Sequence, residues 1–192
     1  LRVSDVFAVG SGRHVKLILT DGRQTFQAMC FGVSLSECCA APKDTVDIMC
    51  TIGENTFNGV SSIVLNVKNI RVCGQAADLD RLGDELYGAY VSSGIVTPAS
   101  RVSRGDMISF YKYILRQAHA QITSYDSHAL ARSINAGTGR FNYCKLRFCI
   151  DTLSELGLIT CEGSSNISIN ISDTRTKVDL HRSATWNRVG DD

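Results

Sequence analysis

The sequence has no Cys-x-x-Cys pair and no Cys/His group at zinc-ligand spacing, although eight cysteines are spread along its 192 residues. That excludes a zinc ribbon or finger built from local ligands. Its four histidines, His14, His119, His128 and His181, are scattered, and none stands among clustered carboxylates. Asp126-Ser127-His128 comes nearest, and there Asp126 reads as a helix cap. A hydrolytic metal pair is therefore not expected within this stretch, and no cofactor is. No apolar run approaches the ~18–20 residues of a membrane-spanning helix. No secretory leader pattern opens the chain, which starts at Leu1 directly in a strand-like run, as expected of a segment of something longer. Formal net charge is only +1, a value that neither suggests nor excludes a nucleic-acid partner. Cys30, Cys50, Cys73, Cys149 and Cys161 fall at apolar-phase positions, where free cysteine behaves as a small hydrophobe. Reduced thiols imply a cytoplasmic setting.

What is present is strong alternation. In "HVKLILTDGRQTFQAMCFG" (14–32), Val15, Leu17 and Leu19 face one way and His14, Lys16 and Ile18 the other. Asp21-Gly22 then permits a two-residue hairpin turn. Five such runs fill the first 74 residues: 2–9, 14–20, 24–31, 45–55 and 61–72. A short helical segment, "SLSECCAAPKD", is expected between the third and fourth. The order β-β-β-α-β-β is that of an OB-fold, a small Greek-key barrel.

Residues 75–100 read as a connecting helix and linker. From 101 to 192 the period changes from two to three and four. Ser103 and Asp106 form a capping-box pattern ahead of the stripe Met107, Phe110, Tyr111, Ile114 and Leu115. Further helices fit 127–135 and 142–156, the last stopped by Gly157. An apolar run and an alternating strand follow. Three helices and a hairpin outline a winged-helix-like α+β domain, and Asp179 can cap a final turn in "KVDLHRSATWNRV". Between 100 and 149 there are eight Lys and Arg against Asp106 and Asp126, either a solvated basic face or a phosphate-facing one.

The segments "GRHVKLILTDG", "QAMCFG", "DIMCTIGENTFNGVSSIVLNVKNIRV", "VTPASRVSRGDMISFYKYIL" and "IDTLSELGLI" together resemble the C-terminal part of RecJ, the bacterial single-stranded-DNA-specific exonuclease family. The likeness lies in Arg13-His14-Val15-Lys16-Leu17, Phe31-Gly32, the hairpin residues Asn55, Phe57, Asn58 and Gly59, and Ile70-Arg71. Residues 98–115 and Lys177-Val178-Asp179-Leu180 resemble that family's extra C-terminal domain. The resemblance implies an accessory single-strand-binding region of a 5'-3' exonuclease of DNA repair and recombination. The Mg or Mn of such an enzyme would belong to DHH domains, and no Asp-His-His triplet occurs here.

OB-folds bind single strands on the face of strands two and three, between the loops at 10–13 and 56–59. The candidate contacts are thus Arg13, His14, Lys16, Arg23, Phe57, Asn58 and Lys68, with Lys145 and Arg147 on the third helix of the second domain, preceded by Arg140. Lys16 and Lys68 read equally as a solvated strand face, Phe57 as a plug over the barrel end, and His14 as a local hydrogen-bond partner. Phe31 is expected in the core. The alternative function is a protein-interaction adaptor docking a helicase or a single-strand-binding protein.

Overall fold

The computed structural model describes residues 1–57, 59–173 and 178–191. Asn58 and Lys177 lie outside the described residues, as does the side chain of Phe57. Contacts divide the chain into Leu1–Asp78 and Leu79–Asp192.

The first unit is built from β1 (Arg2–Val9), β2 (His14–Thr20), β3 (Thr25–Phe31), β4 (Thr45–Phe57) and β5 (Val60–Cys73). They pair in the order β1-β2-β3-β5-β4, and the β1–β4 pairing at Arg2–Thr45 closes the barrel. All pairings are antiparallel except β3–β5. Alternation does what it must: Val15, Leu17 and Leu19 are fully buried, and Val3, Ala28, Cys30, Val46 and Leu65 complete the core around them. Each large aliphatic side chain so buried contributes about 1.5–3 kcal/mol.

Two local expectations change. The β2–β3 connection spans four residues rather than two, with Thr20 opposite Thr25. The Asp21 carboxylate accepts from the N–H groups of Arg23 (2.8 Å) and Gln24 (2.7 Å), a side-chain turn that competes with the tight hairpin. These backbone bonds hold the Asp21 carboxyl below its ordinary value. The short helix between β3 and β4 is absent. Residues 34–44 form turns, with one helix-like bond from Cys38 N–H to Ser34 O. Cys38, Ala40 and Ala41 are all buried, so the segment plugs the barrel by burying near-consecutive residues. A segment this short cannot recover the cost of helix nucleation on its own.

In the second unit α1 (Gln75–Ser93), which crosses the division at residue 78, is followed by β6 (Val102–Ser103) and α2 (Arg104–His119). Then come β7 (Ser124–Asp126), α3 (Ser127–Thr138) and α4 (Tyr143–Glu155). β8 (Ile159–Glu162), β9 (Asn166–Ile171), α5 (Ala184–Val189) and β10 (Gly190–Asp191) complete it. The strands make a β7-β9-β8 sheet and a parallel β6–β10 pair. The helices start where their caps say. Ser103 and Asp106 close a reciprocal capping box, while Asp126 and Asn142 accept from Ala129 and Lys145 N–H. Asp179 caps a single 3-10 turn at Leu180–Arg182, and Ser183 caps α5. Phe110, Ile114, Phe141, Leu146, Phe148, Ile159, Ile167 and Trp186 form the core.

Candidate nucleic-acid interface

The outer face of the β1-β2-β3 sheet is set by the same alternation that fills the barrel. Because Val15, Leu17, Ala28 and Cys30 point inward, their neighbours point out in cross-strand rows. One row is His14 opposite Phe31; the next is Phe7, Lys16 and Met29. Phe31 is therefore not a core residue, as the sequence suggested, but 60% exposed. Phe7 is 48% exposed. Lys16 sits half-buried between Phe7 and Met29 on the adjacent strands, its stem against apolar neighbours in the usual way of lysine.

His14 is fixed rather than free. Its Nδ1 accepts from the Gly32 N–H at 2.9 Å, which leaves Nε2 as the protonated nitrogen of the neutral ring. The imidazole meets Phe31 edge-on, centroids 5.4 Å apart. A side chain at Gly10, where φ is +60°, would collide with this ring at 2.9 Å, so glycine is required there. His14 thus orients Phe31 and holds the β3 end against β2. Arg13 is exposed beside it, its Nε donating to Gly10 O at 3.4 Å.

The remaining candidates are spread out. The parallel register Gln27–Val64 and Met29–Asn66 runs β5 alongside β3. Exposed Lys68 falls two residues past Asn66, as Phe31 falls two past Met29. Arg23, exposed on the β2–β3 turn, lies at the opposite strand end, toward the β4–β5 hairpin tip. Asn58 at that tip is outside the described residues, and Phe57 is placed only as the last residue of β4. Sequence reasoning missed Phe7 and misplaced Phe31, although the phase of Ala28 and Cys30 carried the signal for the latter. Arg71, by contrast, is engaged: its guanidinium lies 2.6 Å from Asp47, whose carboxyl it holds below the ordinary value.

Residues 1–69 match the family model of the RecJ OB domain. The N-terminal unit is a RecJ-type OB-fold region. Among curated proteins none matches the chain.

Beyond the RecJ-type region, the cations assigned to the third helix are not a surface. Lys145 is buried, and its Nζ lies 2.9 Å from Asp106 Oδ2. It is a structural ion-pair member, not a phosphate contact. Arg147 is half-buried with its guanidinium 5.7 Å from the Tyr87 ring centre. Its Nε and one terminal nitrogen are buried without a hydrogen-bond partner among the described residues. For Arg147 the physical reason is α1. Tyr87 and Tyr90 pack on Phe148, Tyr87 also meets Tyr143, and Gly83 sits against the Tyr143 backbone. Asp80 and Asp84 reach across to Arg132 and His128. α1 covers the face of α4 that carries Arg147, Lys145 turns instead toward Asp106 of α2, and only Arg140, before α4, remains exposed. Burial pushes the Cys30 thiol up, and Cys144 up to about 12. Among the described residues no group of three or more His, Cys, Asp or Glu could hold a metal ion, and no helix is long and apolar enough to cross a membrane.

Proposed function

We propose that this chain is the accessory single-stranded-DNA-binding region of a RecJ-like 5'-3' exonuclease working in DNA repair and recombination. The reaction itself belongs to DHH domains that hold Mg or Mn elsewhere in the parent protein, and this chain alone does not cut. The observation that carries the reading is the pair of adjacent outer rows of the RecJ-type barrel. In one an oriented aromatic, Phe31, stands opposite His14, and in the next Lys16 stands between Phe7 and Met29. Exposed aromatics stack bases irrespective of sequence while cations track phosphates, which is what a strand-feeding surface needs. We read the second unit as winged-helix-like, a reading supported by the succession α2, β7, α3, α4 and the β8–β9 hairpin, with β7 paired to β9. A cytoplasmic location follows from the same parentage.

The adaptor reading, docking a helicase or a single-strand-binding protein, draws on the pairing of Lys145 with Asp106 in the core and the packing of Arg147 against Tyr87 of α1. Binding of oligo-dT over a salt series separates the two readings. A steep linear fall of log affinity with log salt marks phosphate neutralisation and supports the nuclease-accessory reading; no binding at low salt leaves the adaptor.

A further inference from the structure

We infer that the exposed face of α2 is a second nucleic-acid backbone surface, taking the role expected of α4. The basic excess between residues 100 and 149 has to be somewhere, and the fold sorts it. Arg132 and Lys145 are spent on Asp80 and Asp106 inside the unit, and Arg147 lies against Tyr87. What stays on the surface is concentrated on one helix. Arg104, Ile108, Lys112, Arg116 and His119 recur every three or four residues and are all exposed, while Met107, Phe110 and Ile114 point into the core. Four residues of α-helix advance about 6 Å, so Lys112 and Arg116 stand one turn apart on one line. Neither has an ion-pair partner among the described residues. The single acid of α2, Asp106, is buried against Lys145, so no carboxylate of this helix neutralises Lys112 or Arg116. Lys112, Leu115, Arg116 and His119 line a shallow depression there.

Arg116 and His119 also suit the helix C-terminus, where cations complement the macrodipole. Lys112, two turns into the helix, does not gain from that effect. The face offers only Ile108, 53% exposed, and part of Leu115 as apolar surface. That is too little to insert into a lipid interface or to anchor a hydrophobic peptide. A regularly charged, weakly apolar stripe fits a phosphodiester backbone best. The choice of DNA as the polyanion rests on the proposed function above; the placement of the surface does not.

The test uses the whole chain and oligo-dT of about 40 nucleotides, well beyond the ~16-nucleotide upper site size of one OB fold. Lys112→Gln with Arg116→Gln should flatten the salt slope by about 1.4, at ~0.7 per single-strand contact. The charge-preserving pair Lys112→Arg with Arg116→Lys should keep the wild-type slope. Fluorescence of the single, buried Trp186 reports that the second unit is folded. An unchanged slope in the folded Gln variant overturns the inference. So does poly-L-glutamate binding that the Gln pair abolishes while oligo-dT binding stays intact, since the face would then serve an acidic protein. Lys16→Gln is the independent arm. If it alone flattens the slope, the barrel reading stands and this one falls; if only the α2 pair does, the reverse holds.

Discussion

Lys145 Nζ lies 2.9 Å from Asp106 Oδ2, and the two side chains are only 9% and 3% exposed. The same Asp106 oxygen accepts from the Ser103 N–H and hydroxyl. One carboxylate thus caps α2 and neutralises α4, tying two helices together. Removing one partner of a buried pair leaves the other charge uncompensated, at a cost of about 3–5 kcal/mol. Lys145→Met is therefore expected to destabilise the second unit by that amount in urea unfolding followed at Trp186. In the folded variant the oligo-dT salt slope should stay as in wild type. A flattened slope with little loss of stability would restore Lys145 as a phosphate contact.

Phe31 carries a different expectation. It is 60% exposed, so Phe31→Ala should leave barrel stability nearly unchanged. Loss of one base stack costs ~1–3 kcal/mol, which is roughly a 5- to 150-fold weaker affinity for oligo-dT. Phe31→Tyr should retain binding. Equal affinity of the Ala and wild-type chains would remove the β2–β3 row from the interface.

The barrel order, the helix caps at Ser103, Asp126 and Asp179, and the stop at Gly157 were all legible, because each rests on neighbours in sequence. The errors came where distant residues decide. Lys145 looked solvent-facing because the stripe Leu146, Cys149, Ile150 and Leu153 accounts for one face of α4. Yet Cys144, Phe148 and Thr152 are also buried, so the helix is enclosed on nearly every side, and the acid that makes this tolerable is 39 residues away. The apolar Phe148 outside the stripe was the available hint. Gly83 gave no hint at all: its meaning depends on Tyr143, which only the tertiary fold brings to it.

That contact yields a third prediction. A Cβ at Gly83 would stand 2.7 Å from Tyr143 Cβ and 2.9 Å from Tyr143 N. Backbone cannot yield as a side-chain tip can, so Gly83→Val must push α1 off α4. Overpacking of this kind costs about 1–3 kcal/mol, more than the few tenths that valine gains over glycine in helix propensity. Hydrogen exchange of the α1 amides should accelerate relative to those of α2. Unchanged protection would mean that α1 is held by Asp80–Arg132 and Asp84–His128 without close approach at Gly83.

Acid stability should depend on Glu155. Its Oε2 accepts from the Ser183 hydroxyl at 2.6 Å and Thr185 N–H at 3.1 Å, and Oε1 from the Thr185 hydroxyl at 2.6 Å. The partial desolvation of this end of α4 opposes ionisation, but the hydrogen bonds from Ser183 and Thr185 outweigh it and leave the carboxyl below its ordinary value. A carboxyl lowered on folding stabilises the native state above its unfolded value, near 4.3, and that contribution disappears as pH falls through the lowered folded value. Glu155 is exposed, so solvent limits the effect to about 1 kcal/mol, within the range for a single net hydrogen bond. Burial, against the pull of Arg147, moves Asp151 the other way; that residue favours the folded state at low pH and loses the contribution as pH rises, so it cannot mimic this signature. Glu155→Gln should accordingly be less stable than wild type at pH 7, and the two curves should converge as pH falls below about 4. Parallel acid limbs in the two proteins would show that the α4–α5 tether is not maintained by the charged form.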